Sequence, residues 1–116
     1  MTRLLYDSVA FGLLVVTAGL AEADYTFMTI EVPGSTDTHA FAINNAGEIV
    51  GLYVDADGND HGFILSALGY TTVDAFDPLA QTEIFSVNAQ GEIVGQFTGP
   101  DGNIHGFVGT PLPGKD

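Results

Sequence analysis

The chain carries one sequence unit twice, at a fixed spacing of 44 residues, from Asn44 to Asn88. Ile43–Phe63 reads INNAGEIVGLYVDADGNDHGF, and Val87–Phe107 reads VNAQGEIVGQFTGPDGNIHGF. Between residues 38 and 64, 14 of 27 positions are identical at this shift. A period of this length is typical of propeller blades and solenoid units, where each repeat is one supersecondary unit. The repeat therefore constrains the architecture far more than the activity.

Each unit divides into four short runs of β-branched and aromatic residues, which predict β-strands. Gly, Asn and Asp separate the runs, and these residues tolerate the positive φ that hairpin turns need. Beyond residue 23, no apolar pattern has the 3.6-residue period of a helix. The predicted strands are Tyr25–Val32, Thr38–Ile43, Glu48–Val54 and Asp60–Leu65, then Tyr70–Ala75, Thr82–Val87, Glu92–Phe97 and Ile104–Gly109.

These patterns predict an all-β fold of antiparallel four-stranded repeat units that resemble propeller blades, two blades per chain. Glu48–Val54 is apolar on both faces, as expected for a sheet packed between neighbours. The paired Gly51 and Gly95 favour a close approach or a bulge at one point. A β-sandwich is the alternative, because it also uses short alternating strands. The predicted division is 24–66 and 67–110 for the two repeats, followed by a tail over 111–116.

Residues 1–23 resemble an export signal. Arg3 supplies an early positive charge, Val9–Leu20 is an apolar run, and Ala21-Glu22-Ala23 is a small-x-small cleavage site. The run is shorter than the roughly 20 residues of a spanning helix. We therefore predict a secreted protein with no membrane attachment after cleavage. The alternative is an uncleaved membrane or packing helix.

Charge and size limit the partners. The net charge is −13, and about −12 after removal of residues 1–23, which argues against nucleic acid and anionic membranes as partners. The chain has no cysteine, so disulfides cannot stabilise it. Two repeats make a small core, whereas stacked repeats usually need about three to be stable. The sequence therefore predicts a homo-oligomer.

The chain resembles the bacterial extracellular HAF repeat family. Ile43–Gly51 and Val87–Gly95 are similar to the family's Ile-Asn-x-x-Gly-x-Val-Val-Gly run, and His61-Gly62-Phe63 and His105-Gly106-Phe107 are similar to its His-Ala-Phe triplet. Glycine replaces the alanine of the triplet in both repeats. The resemblance implies a secreted β-repeat protein whose family has a largely unassigned function.

An acidic turn in the first repeat is a candidate Ca²⁺ site, because carboxylate and amide oxygens suit this hard cation. The spacing departs from an EF-hand loop, since Gly58 interrupts the ligand run. The second repeat has Gly99 in place of the leading acid. A plain Asp-Gly hairpin turn is the alternative. The candidate ligands are Asp55, Asp57, Asn59 and Asp60.

Residues that recur at matched positions are predicted to be structural. A catalytic residue is needed once, whereas His61 and His105 recur beside Phe63 and Phe107. We interpret the two histidines as hydrogen-bonding to a neighbouring strand, with transition-metal binding as the alternative. The predicted structural residues are Gly47, Gly51, His61, Phe63, Gly91, Gly95, His105 and Phe107.

Nothing in the sequence points to catalysis. It has no cysteine and no Gly-x-Ser-x-Gly element, so we predict no enzyme. The leading hypothesis is a structural or interaction module that closes a propeller by self-association. The alternative is a lectin-like module for extracellular glycans, calcium-dependent if the acidic turn binds metal. Its candidate stacking walls are Tyr53, Phe63, Phe97 and Phe107.

Overall fold

The computed structural model describes residues 4–8, 14–18, 24–77 and 79–113. Every regular element in these ranges is a β-strand, and every strand pair is antiparallel. The strands are β1 (Leu4–Ser8), β2 (Leu14–Ala18), β3 (Asp37–Ile43), β4 (Ile49–Val54), β5 (Asp60–Ser66), β6 (Gly69–Val73), β7 (Gln81–Val87), β8 (Ile93–Thr98) and β9 (Ile104–Gly109).

Two sheets carry the repeat. The first sheet has four strands in the order β3-β4-β5-β6, and the second has three in the order β7-β8-β9. Each is a meander, because short turns join consecutive hydrogen-bonded strands. The all-β fold of antiparallel repeat sheets is thus confirmed. Two open sheets of this kind fit neighbouring propeller blades and also fit a sandwich.

The two sheets pack face to face around a shared apolar core. Val50 of β4 and Ile84 of β7 are fully buried, and Val87 and Ile93 complete the cluster. The opposite face of the first sheet carries a second cluster. There Val32 is buried against Phe63 and Leu65. The first sheet therefore buries apolar residues on both faces, as the apolar pattern of its central strand predicts, although Ile43 of β3 stays 66% exposed on the second of these faces.

Both sheets contain the same β-bulge. The register of β3 against β4 shifts at Phe41, and that of β7 against β8 shifts at Phe85. Gly51 and Gly95 lie in the strands that face these bulges. A Cβ atom on Gly51 would lie 1.8 Å from the carbonyl oxygen of His39. These glycines are required because the bulged backbone occupies the space of a side chain.

The sheets are out of phase with the sequence repeat. Gly69–Val73 pairs with β5 and completes the first sheet, although the sequence groups it with the second repeat. The matching segment of the first repeat, Tyr25–Val32, is outside every sheet. Its prediction as a strand is therefore wrong for a single copy, because a strand needs a hydrogen-bonded partner and the described residues offer none.

The segment predicted as an export signal contains β1 and β2, which pair as a two-stranded sheet. The described residues contain no helix with the length and apolarity of a membrane span. Residues 1–3, 9–13 and 19–23 lie outside the described ranges, and so does the predicted cleavage site. Cleavage of this segment stays a prediction.

Candidate functional site

Matched asparagines organise the first turn of each sheet. The Asn44 side-chain oxygen accepts hydrogen bonds from the N–H groups of Ala46 and Glu48, and its amide donates to Glu48 Oε1 at 2.8 Å. Asn88 makes the same contacts with its own turn and with Glu92. Asn44 also donates to the Asn88 carbonyl oxygen at 2.8 Å. The two turns thus lie side by side at one edge of the sheet pair.

Asp55 organises the acidic turn of the first sheet. Its Oδ1 atom accepts from the N–H groups of Asp57 at 2.9 Å and Asn59 at 3.0 Å. The amide oxygen of Asn59 accepts from Gln81 Nε2 at 3.0 Å, and Gln81 Oε1 accepts from the N–H of Asp60. The turn is therefore tied to the first strand of the second sheet.

The predicted calcium ligands do not converge on one point. Asp55 Oδ1 is used within the turn, and its Oδ2 atom lies 2.7 Å from His61 Nε2. Among the described residues, no group of three or more His, Asp or Glu side chains has the arrangement of a metal site. The contacts of Asp55 match a hydrogen-bonded hairpin turn, and calcium binding stays a prediction.

His61 lies between two carboxylates. Its Nδ1 atom is 2.6 Å from Asp74 Oδ1, and its Nε2 atom is 2.7 Å from Asp55 Oδ2. A carboxylate can only accept, so both hydrogen bonds form at once when the ring carries a proton on each nitrogen. The Tyr53 ring stacks on the imidazole at 5.1 Å. His61 therefore ties β5 to the turn before it and to the segment after β6.

The pKa shifts of His61 and Asp55 favour the charged forms of these two residues. Partial burial of His61 opposes protonation, but the hydrogen bonds and charges of Asp74 and Asp55 outweigh it, so the pKa of His61 is raised above 6.5. The backbone hydrogen bond from Asn59, and then the hydrogen bond from His61, lower the pKa of Asp55 below 3.8. Together these shifts favour an imidazolium between two carboxylates.

We expect this cluster to make stability depend on pH. A histidine with a raised pKa contributes stability fully below the unfolded value of 6.5, and this contribution is lost as the pH rises through the folded value. Asp74→Asn removes one carboxylate, so its melting temperature should lie furthest below wild type at acidic pH. Thermal melts of both proteins between about pH 5 and pH 9 test this. A constant difference across this range would contradict it.

The second repeat holds its histidine by one side only. His105 Nε2 lies 3.2 Å from Asp101 Oδ2, and no hydrogen bond to its Nδ1 atom exists within the described residues. Asp101 contacts His105 as Asp55 contacts His61, because the repeat counterpart of Asp55 is Gly99, which has no carboxylate. The Phe97 ring lies 5.2 Å from the imidazole, as Tyr53 does from His61. Among the described residues, no carboxylate contacts His105 Nδ1 in the way that Asp74 contacts His61 Nδ1.

A cleft of about 630 Å³ opens between the two sheets beside the asparagine turns. Its lining includes Glu48, Leu68, Gln90 and Pro111, and no aromatic residue. The predicted stacking walls lie elsewhere, and Phe63 is fully buried. The cleft therefore lacks the flat aromatic surface on which a sugar ring stacks.

The residues that form the sheet-to-sheet contact have repeat counterparts on the outer faces of the two sheets. Val50 is 0% exposed in the contact, whereas its repeat counterpart Val94 is 44% exposed. Val87 is 8% exposed, whereas its counterpart Ile43 is 66% exposed. We call the second sheet's outer face, with Val94 and Val108, the trailing face. The face of the first sheet with Ala40 and Ile43 is the leading face.

Comparison of the chain with family models, with curated proteins and with solved structures found no match.

Sequence reasoning missed several residues of these contacts. Glu48 and Glu92 were not among the predicted structural residues, but each accepts a hydrogen bond from the asparagine of its turn. The sequence signal for this role was that the two glutamates occupy the same position in both repeats. The part played by Asp74 had no signal in the sequence, because sheet pairing brings it to His61 across 13 residues.

Proposed function

We propose that the protein is an exported, acidic, non-enzymatic module that associates with itself head to tail. The trailing face of one copy packs on the leading face of the next. The observation that carries this is the match between the buried contact inside one copy and the exposed apolar residues at both outer faces. Val94 and Ile43, the repeat counterparts of the buried Val50 and Val87, are 44% and 66% exposed.

The matched residues have the same chemistry as those in the buried contact. Val50 and Ile64 face the second sheet inside one copy, and Val94 and Val108 take their places on the trailing face. Val108 is 67% exposed. Because burial of apolar area drives association, pairing of these two faces lowers the free energy.

Head-to-tail contacts form a ring when the rotation between copies closes, and a filament when it does not. Each copy supplies two sheets, and propellers contain roughly four to eight blades. About three copies would give roughly six blades, which lies within that range. Ring closure also removes exposed strand edges, which otherwise template aggregation.

Export is supported by the signal-like segment at residues 1–23 and by the resemblance to an extracellular repeat family. A net charge of about −12 after removal of residues 1–23 makes copies repel one another, so association needs an attraction between matching apolar faces. Head-to-tail contact by apolar faces is thus the attraction that overcomes this repulsion.

The glycan-binding alternative has less support. Phe63 offers no exposed ring, and the cleft between the sheets has no aromatic lining residue. A glycan array read with and without Ca²⁺ tests it directly. Saturable binding there, together with a monomeric mass, would favour the alternative over self-association.

Val94→Asp tests the proposed function. The side chain is 44% exposed in a single copy, so each copy should fold, but a carboxylate on the trailing face should turn the oligomer into a monomer. Leu68→Asp is the matched control, because Leu68 is 78% exposed in the β5–β6 turn, outside both faces. Sedimentation of both variants gives the result. Wild-type mass for Val94→Asp would contradict the proposal.

A further inference from the structure

The segment Thr26–Ile30 is the repeat counterpart of β6. The N–H of Val32 donates to Thr38 Oγ1 at 3.1 Å, and the N–H of Ala75 donates to Thr82 Oγ1 at 3.1 Å. These matched bonds align the two segments at a shift of 43 residues, with one extra residue in the later loop. Thr26–Ile30 therefore occupies the place in its repeat that β6 occupies in the next.

The segment also lies where a strand of a preceding sheet would lie. Ile30 and Val32 pack on the leading face, against Phe63. Val73 of β6 packs in the same way against Ile84 of the second sheet. The difference is that β6 is also paired with β5, whereas Thr26–Ile30 has no strand partner among the described residues.

The second sheet has a matching gap, because its last strand, β9, has an unpaired outer edge among the described residues. β9 is the repeat counterpart of β5, and both pair with the central strand of their sheets. β5 has β6 on its outer edge, but no described residue pairs with the outer edge of β9. Within the described residues, one copy therefore presents an unpaired segment before β3 and an unpaired edge on β9.

We infer that Thr26–Ile30 of one copy is the fourth strand of the second sheet of its neighbour, antiparallel to β9. The inference rests on the proposed self-association and specifies its seam. The pairing of β5 with β6 sets the register, in which Gly106 faces Ile30, Val108 faces Met28 and Thr110 faces Thr26. Addition of a strand to an open edge is a common mode of recognition.

Charge supports the same register. Glu31 is the counterpart of Asp74, which lies 2.6 Å from His61 Nδ1 inside one copy. His105 is the counterpart of His61, and its Nδ1 atom has no hydrogen bond within the described residues. In the inferred pairing, Glu31 of one copy supplies the carboxylate that His105 of the neighbour lacks.

Burial supports it as well. Phe27 is 62% exposed and Met28 is 52% exposed in a single copy. On the other side of the seam, Val108 is 67% exposed, whereas its counterpart Ile64 is half-buried beside β6. A second copy therefore covers apolar residues on both sides, and the same chemistry that builds the first sheet completes the second.

Disulfide trapping tests the seam, since the chain has no cysteine of its own. Thr26→Cys and Thr110→Cys chains, each full length and carrying a different tag, are expressed together. Their Cα atoms should lie about 5 Å apart across the pair, within the disulfide range. The control pairs Thr26→Cys with Ile104→Cys, where the separation is about 20 Å along the strand.

The expected result is a linked pair with one chain of each tag for Thr26→Cys with Thr110→Cys, at least tenfold more abundant than in the control. Equal yields, or no linked pair in an oligomer of wild-type mass, would overturn the seam and leave self-association in place. A monomeric mass would overturn both. A chain that carries both Thr26→Cys and Thr110→Cys and forms the disulfide within itself would also overturn the seam.

Discussion

Gly51→Ala should destabilise the protein by more than about 3 kcal/mol, beyond the usual cost of overpacking. The added Cβ would lie 1.8 Å from the carbonyl oxygen of His39, and real Cβ atoms never approach backbone so closely. The bulge in β3 fixes that carbonyl, so relief requires the sheet to change register. Gly95→Ala should behave alike, because its Cβ would lie 2.0 Å from the Glu83 carbonyl oxygen. Chemical unfolding followed by circular dichroism measures the loss.

The matched control is Gly106→Ala. A Cβ at Gly106 has only the Gly95 carbonyl oxygen nearby, at an ordinary 3.8 Å. In the Val94→Asp background, where no neighbouring copy pairs with β9, Gly106→Ala should therefore keep the stability of its parent, whereas Gly51→Ala should not. A Gly51→Ala protein with an unchanged unfolding midpoint would show that the bulge is absent in solution.

Phe63→Ala should cost about 3–5 kcal/mol of stability, the range for emptying a buried aromatic site. Phe63 is 0% exposed, and its ring meets Tyr70 edge to face at 5.9 Å. His61→Ala removes hydrogen bonds to a partly exposed cluster and should cost less, about 1–3 kcal/mol. Thermal and chemical unfolding of both variants give the order.

Phe107→Ala is the matched variant in the second repeat. Phe107 is only half-buried in a single copy, so its loss should be smaller than that of Phe63. The structural interpretation of His61 would fail if His61→Ala left the melting temperature unchanged and abolished binding of a glycan or a metal.

The local parts of the fold could be predicted from the sequence. Turn residues such as Asn44 and Gly47 act within a few positions, so their pattern gives the hairpins directly. Gly51 and Gly95 were expected at a bulge or close approach, and they lie opposite bulges. Seven of the eight predicted strands lie in sheets, because β-branched residues and turn signals are local properties.

Pairing between distant segments could not be predicted. A periodic sequence does not fix where one sheet ends and the next begins: Gly69–Val73 belongs to the second repeat by sequence and to the first sheet by strand pairing. Tyr25–Val32 has the composition of a strand, but a strand also needs a partner edge. The contact between His61 and Asp74 depends on sheet register, which composition does not contain.

The mass of the purified protein in solution distinguishes a self-associating module from a single-copy one. The full sequence is expressed in a host that exports it, the mature N-terminus is read by mass spectrometry, and light scattering is recorded at about micromolar concentration. Closure of a ring by self-association predicts a single species of about two to four copies, which corresponds to roughly four to eight blades. A folded, stable monomer under these conditions would contradict it.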